Sequence, residues 1–282
     1  MEYYYDFKFG TKQLSDFGGT IYSSDGFRRT VGNDPEHITL PIPNKGEIYY
    51  GTKLSPFTFE EDCYFEESLD GREIANWICN QGEQRFQYID DDKYCNAVYN
   101  GKLEFNIYGG EIEDKSITTI PFICYEGFWR AIENPIIITR PTINQEYNII
   151  GNNNIESFPT IKFIPSSSTV RFKWNDMYIA LKELKSGTEY YLDGENGDFY
   201  YLLSGSKVYS MPSLYTDDYY TMPTLLPFVN NEITLLEGSV TSLTVVKNSR
   251  IREWYKKWEN SNKNLLHLCY NYMTLIKILF VI

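Results

Sequence analysis

The stretch that decides the fold reads Gly46-Glu-Ile-Tyr-Tyr-Gly51, then Phe57-Thr-Phe59, then Leu69-Asp-Gly-Arg-Glu-Ile-Ala-Asn-Trp-Ile-Cys-Asn80, and last Tyr88-Ile-Asp-Asp-Asp-Lys-Tyr94 leading into Ala97-Val-Tyr99. The first two pieces read as a Gly-bounded, aromatic-rich strand pair. The third predicts one short helix near 70–81. Asp70 caps it while Glu73, three residues on, reaches back, so two otherwise orphaned amide donors are satisfied reciprocally. Leu69 and Ile74 stand where a hydrophobic staple closes the entry, and Gly82 stands where a helix ends in a left-handed turn. Ile74, Trp77 and Ile78 share one helical face, which therefore packs on a sheet while the other face stays wet. The last piece is an acidic turn feeding a strand.

Outward from this stretch the pattern is strand after strand with polar turns. Leu103, Phe105 and Ile107 alternate with Lys102, Glu104 and Asn106, as a half-buried strand does. Val170, Phe172 and Trp174 alternate with Arg171 and Lys173 in the same way. Asp193-Gly-Glu-Asn-Gly-Asp198, with Asn196-Gly197 at its tip, is a turn between two Tyr-rich runs. Aromatic residues make up 17% of the chain, with 25 Tyr and 17 Phe; such side chains suit a pleated, half-buried surface, so the fold class is mainly β. A length of 282 residues accommodates two modest domains with real cores. The boundary falls near 133–145, where Pro135 and Pro141 bracket Ile136-Ile-Ile138, and strands resume after Gly151-Asn-Asn-Asn154. The expected domains are 1–133 and 134–252, followed by a tail over 253–282.

The formal net charge of −12 argues against a chain that grips nucleic acid, because that requires Lys and Arg to displace counterions from phosphates. The five cysteines (Cys63, Cys79, Cys95, Cys124, Cys269) are odd in number and lack C-x-x-C spacing, so they read as buried, reduced thiols rather than a disulfide or zinc framework. Met1-Glu-Tyr-Tyr-Tyr-Asp6 has neither the basic nor the apolar region of a secretory signal.

A search for chemistry finds no catalytic residues, cofactor site or metal site. His37 and His267 are the two histidines, and neither sits in a metal-ligand pattern. His37 follows a turn and is expected at the surface. P-loop, dinucleotide, G-x-S-x-G and H-E-x-x-H patterns are missing. Asp90, Asp91 and Asp92 read as a solvated turn, since no Gly or downstream bidentate Glu completes a calcium loop. The 193–198 segment has glycines placed for a hairpin and the wrong register for an EF-hand. With 38 acidic residues, no carboxylate pair is singled out for glycoside hydrolysis.

The order of signals in 46–105 resembles the N-terminal domain of the siphophage distal tail protein (Dit) family, the hub proteins of long non-contractile phage tails. Phe7-Lys-Phe-Gly10 and Asp16-Phe-Gly18 stand for the opening hairpin, Trp77 for the Trp-bearing helix, and 90–94 with Ala97 for the acidic segment and Tyr-Ala strand. Asn152-Asn-Asn-Ile-Glu-Ser-Phe-Pro-Thr-Ile-Lys-Phe163, Tyr191-Leu-Asp193 and Asn231-Glu-Ile-Thr-Leu235 resemble strands of the family's C-terminal galectin-like sandwich. The resemblance covers roughly 1–255. It implies an N-terminal β-sandwich-like domain with one short helix and a C-terminal galectin-like β-sandwich. It also implies a non-enzymatic hexameric ring at the virion tail tip, assembled in the host cytoplasm. Expected partners are copies of itself, the tail tube and tape-measure proteins, and tail-associated hub or receptor-binding proteins. DNA would pass through the channel without specific binding, and no membrane is expected.

Two other classes stay open. A carbohydrate-binding module on the particle surface would present exposed coplanar aromatics. Trp129, Trp174 and the segment Tyr215-Thr-Asp-Asp-Tyr-Tyr220 are the aromatic candidates. Trp174 follows the inward register of its strand and Trp129 suits packing at the hinge. That leaves Tyr215, Tyr219 and Tyr220 for a glycan or protein contact. A cell-wall hydrolase accessory would instead show a cleft with two facing carboxylates. The tail departs from the family pattern: Glu253-Trp-Tyr-Lys-Lys-Trp258 is followed by a polar run and then by apolar 265–282. That run reaches the lower limit of a membrane span, but His267, Asn271 and Lys277 interrupt it and no basic cluster follows. A strand or helix docking on a neighbouring subunit is favoured over an anchor; a disordered or altered tail is the third reading.

Overall fold

The computed structural model describes residues 5–22, 36–42, 46–65, 71–105, 107–108, 111–112, 117–210, 214–216 and 222–252. Its first strands are β1 (Phe7–Phe9), β2 (Lys12–Gln13), β3 (Gly19–Ile21), β4 (Glu36–Ile42), β5 (Gly46–Lys53) and β6 (Phe57–Phe65). The helix α1 (Gly71–Cys79) follows, then β7 (Gln84–Tyr88), β8 (Lys93–Tyr99), β9 (Ile107–Tyr108), β10 (Glu111–Ile112), β11 (Ile117–Cys124) and β12 (Trp129–Ala131). The next group is β13 (Ile136–Thr139), β14 (Glu146–Ile149), β15 (Thr160–Pro165), β16 (Val170–Trp174), β17 (Met177–Leu181) and β18 (Tyr190–Asp193). The last is β19 (Asp198–Leu203), β20 (Ser206–Tyr209), β21 (Leu214–Thr216), β22 (Asn231–Glu237), β23 (Val240–Val246) and β24 (Arg250–Ile251). The protein is mainly β, as its sequence predicts.

The first sheet has the order β2-β1-β7-β8-β11-β6-β3, with β12 joined to β8 and β24 joined to β12. It curls around a core built from rings: Phe7 lies 5.0 Å from Phe86, and Phe86 lies 4.9 Å from Phe122. Each such ring removes a large apolar area from water, and tilted or offset pairing adds to that. The helix closes this core with Ile74, Trp77 and Ile78, all buried, as the helical spacing predicts. Gly82 holds φ +61°, consistent with a left-handed turn after the helix. The expected cap Asp70 and staple residue Leu69 lie outside the described residues.

The second core lies between a six-stranded sheet, β13-β23-β15-β18-β19-β20, and a five-stranded sheet, β14-β22-β16-β17-β21. Phe163, Tyr190, Leu192, Phe199 and Leu243 enter it from the first sheet; Phe172, Trp174, Ile179, Ile233 and Leu235 enter from the second. This is a β-sandwich. Gly238 makes the tight β22–β23 turn at φ +85°, where a Cβ would come within 2.2 Å of the Thr169 carbonyl oxygen.

Three local expectations need correction. The strand pair expected from 46–51 and 57–59 does not pair with itself. β5 pairs with β4, whereas β6 pairs with β11 and β3, because Leu54-Ser55-Pro56 separates two strands that belong to different sheets. Residues 102–105 are not in a strand, and β9 starts only at Ile107. Leu103 and Phe105 still pack against the core, so the alternation sets which side chains face inward without supplying a ladder partner. Finally, strands do not wait until after Gly151. β13 and β14 precede it, and both are edge strands, where flanking prolines are tolerated because one side of the strand needs no ladder bond.

Candidate functional site

Among the described residues, polar side chains are arranged at a seam between the two cores and along a tyrosine row on the second, among other places. The seam begins where β24, after the last strand of the sandwich, returns to pair with β12 (Trp129↔Ile251, Arg130↔Arg250). Ile251 is buried in the first core. Arg130 and Arg250 both reach Glu195, in the β18–β19 turn, at 2.7 and 3.2 Å. Glu126 adds a forked contact to Arg130, 3.1 Å from Nε and 2.6 Å from one terminal nitrogen. Burial alone would lower the Arg130 pKa, but hydrogen bonds to Glu126 and Glu195 outweigh it and hold the guanidinium charged. The two guanidinium groups also lie over Phe128, and Arg250 lies over Phe158, at 4.5–5.0 Å. That stacking is attractive because the ring faces carry negative charge density.

The Asn-rich run stitches the other side of the seam. Glu133 accepts from Asn152 N at 3.0 Å and pairs with Lys247 at 2.9 Å. Asn153 Nδ2 donates to the Leu225 carbonyl at 3.0 Å. Asn154 clamps Arg252, accepting its N–H at 2.6 Å and donating to its carbonyl at 2.5 Å. Asparagine suits this place because one side chain both donates and accepts. In the sequence this run marks where strands resume and opens the segment that resembles the sandwich; its part in the seam does not show there.

On the outer face of the six-stranded sheet, Lys162, Tyr191, Tyr200 and Tyr209 stand opposite one another on β15, β18, β19 and β20. Tyr191 and Tyr200 stack at 5.1 Å with 3° between their planes, and Lys207 lies 4.1 Å from the Tyr200 ring centre. The Tyr191 hydroxyl donates to Glu189 at 2.5 Å. That bond, with burial second, pushes its pKa up to about 12. Tyr200 is therefore covered by its neighbours, and Tyr209 at the sheet edge is 58% exposed. The row is a cross-strand ladder, with its rings turned toward each other rather than laid flat as a platform.

Trp129 and Trp174, the two tryptophan candidates for a sugar contact, are both buried. Trp129 packs 5.8 Å from Phe57 and Phe59, and Trp174 Nε1 donates to the Thr224 carbonyl at 2.9 Å. Tyr215 lies on β21 opposite Ala180; Tyr219 and Tyr220 lie outside the described residues. His37 lies on β4, and His267 is outside the described residues. Asp90–Asp92 form the β7–β8 turn as expected. Among the described residues no cluster of His, Cys, Asp and Glu could hold a metal, and no helix is long and apolar enough to cross a membrane. A cleft of about 470 Å³ at the β22–β23 turn has Arg140 as its one charged lining residue, so it does not offer two facing carboxylates. Of the described cysteines, Cys63, Cys95 and Cys124 are buried, as expected, whereas Cys79 is exposed.

No protein-family model matches this sequence, and no curated protein matches it. Among solved structures, similarity is found to the Dit protein of phage SPP1, described as a paradigm of the hub adsorption apparatus in phages infecting Gram-positive bacteria. The match has a TM-score of 0.62 at 14% identity and covers 85% of this chain and 98% of that one. The chain has the fold of that Dit protein. Two structures of the phage P2 baseplate in its activated conformation, with Ca and with Sr, give TM-scores of 0.48 and 0.46 at 11% and 12% identity. They cover 88% and 86% of this chain and 99% and 98% of theirs.

Proposed function

We propose that this protein is a structural component of a phage tail tip, a distal tail protein that closes into a ring of six. The ring joins the tail tube and tape-measure protein above to the tail-associated hub or receptor-binding machinery below. It leaves a channel through which DNA passes without being bound. The observation that carries this reading is the fold shared with SPP1 Dit along nearly the whole of that chain, together with the order of sequence signals in 46–105. On this reading residues 1–133 build the annulus and 134–252 form an outer, galectin-like sandwich. The ring is assembled in the host cytoplasm, ends in the virion, and performs no catalysis. Its mechanism is geometric: one heterologous contact, repeated, closes into a ring and presents each docking face six times.

The carbohydrate-binding reading has less support, because both candidate tryptophans are buried and the Tyr191–Tyr200 rings cover one another. Native mass measurement separates the two. A species of about six times the 33.1 kDa chain mass is expected at micromolar concentration, and a persistent monomer overturns the ring.

A further inference from the structure

Leu226, Phe228 and Val229 form an apolar tip just before β22. Phe228 is 87% exposed and holds φ +60°, a left-handed conformation that bulky residues seldom adopt. Asn231, itself buried, fixes the tip from beneath. Its side-chain oxygen accepts from Leu226 N at 2.9 Å, and its amide donates to the Leu226 and Val229 carbonyls at 3.0 and 3.3 Å. Ile150 adjoins the tip, since its neighbour Ile149 pairs with Asn231, and it is 60% exposed. A rigid loop that keeps contiguous apolar side chains in water marks a contact surface.

The chain itself supplies the occupant. Arg252, the last described residue, is clamped by Asn154, and the adjacent Asn153 holds the Leu225 carbonyl. At Gly151 a Cβ would meet both the Leu225 side chain, at 2.5 Å, and the Ser249 hydroxyl, at 2.9 Å. The chain thus leaves the described fold beside the base of the tip. Residues 253–264 span up to about 40 Å when extended, ample to bring 265–282 back over it. In that run Leu265, Leu268, Tyr272, Leu275, Leu279 and Ile282 recur at the spacing of one helical stripe. Charge agrees. Residues 253–282 carry four Lys against two Glu, net +2, leaving 22 Lys and Arg against 36 Asp and Glu, net −14, on residues 1–252. Glu156, Asp176 and Glu232 adjoin residues that hold the tip, through the Ser157–Leu225 and Asn175–Asn231 contacts.

We propose that residues 265–282 dock through this apolar stripe on the patch of Ile150, Leu226, Phe228 and Val229 in the same chain. A short tether raises the effective concentration of the segment at the patch to the millimolar range. Modest apolar contact then suffices to hold it.

The test is limited trypsin digestion of the full-length chain, with cleavage at Lys263 and Lys277 followed by mass spectrometry. Cleavage is expected to be about tenfold faster in Leu226→Ser/Phe228→Ser than in the unaltered protein, because proteolysis follows the population of the undocked state. Equal rates in the two proteins overturn the proposal. Protection that fades on dilution would assign the patch to a second copy. Protection gained only with phosphatidylglycerol-containing vesicles would assign it to a lipid surface. Either outcome overturns it. Val229→Lys, which sets a cation against a Lys-bearing segment, gives the same acceleration if the double variant unfolds. The proposal does not rest on the ring, and a native mass on the same samples reports the ring separately.

Discussion

Trp77 combines apolar burial, ring stacking and a hydrogen bond in one side chain. Its ring is buried and stacks on Phe17 at 4.8 Å and on Phe7 at 5.7 Å, while Nε1 donates to the Phe9 carbonyl at 2.9 Å. Trp77→Ala is expected to cost about 3–5 kcal/mol, the range for deleting a large buried aromatic. Trp77→Phe keeps a ring but leaves the Phe9 carbonyl without this donor, and about 1–3 kcal/mol is expected. Denaturant unfolding checks both, and an unchanged midpoint for Trp77→Ala contradicts the packing described. The cysteines offer a second test at this scale. Burial, helped by the Glu61 charge, pushes the Cys63 thiol well up, whereas the Cys124 thiol is lowered chiefly by its hydrogen bond to Cys95. Reaction needs both thiolate and access. Among these native thiols a maleimide should therefore label Cys79 first, with Cys63 and Cys124 labelled only on unfolding. Peptide-resolved mass spectrometry reads the order, and early labelling of Cys63 contradicts it.

The elements show which kinds of information are local in sequence. β16 and the β18–β19 hairpin were legible because alternation and turn chemistry act over a few residues: Val170, Phe172 and Trp174 face inward, and Asp193 pairs with Asp198 across the expected turn. The helix was legible for the same reason. The β5–β6 pairing was misread because proximity in sequence says nothing about which sheet a strand joins. The seam was illegible altogether. Arg130 meets Glu195 across 65 residues, and no periodicity links such positions. The same holds for Tyr209, which continues the Tyr191–Tyr200 row only through the strand register. The seam is also the element whose loss is most informative. In Glu195→Ala, Arg130 and Arg250 keep their charge but lose a shared carboxylate in a mostly buried place. A loss of about 1–3 kcal/mol is expected, and because both guanidinium groups share that one partner, Glu195→Ala combined with Arg250→Ala should cost less than the sum of the two. Strict additivity in a double-mutant cycle contradicts a shared site.

For the whole molecule the consequential quantity is charge. A lumen that retained DNA would need clustered Lys and Arg, since each phosphate contact releases condensed counterions and makes affinity fall steeply with salt. Residues 1–252 carry a net −14. The sequence holds two basic doublets, Arg28-Arg29 within 1–133 and Lys256-Lys257 within 253–282, and neither is part of a longer run of Lys and Arg. On the ring reading, the assembled protein should bind duplex DNA weakly, with a shallow dependence of affinity on salt between about 50 and 200 mM, the interval over which phosphate-gripping proteins lose orders of magnitude. The measurement is a salt series of DNA binding by the hexamer, with the monomer as a control for surface contacts. A steep slope confined to the hexamer would reveal a basic lumen and overturn the passive conduit. A steep slope shared by hexamer and monomer would place the phosphate contacts on the outer surface instead. Weak binding with a shallow slope in both is the result an acidic chain predicts, because like charges along the passage leave DNA no site at which to stop.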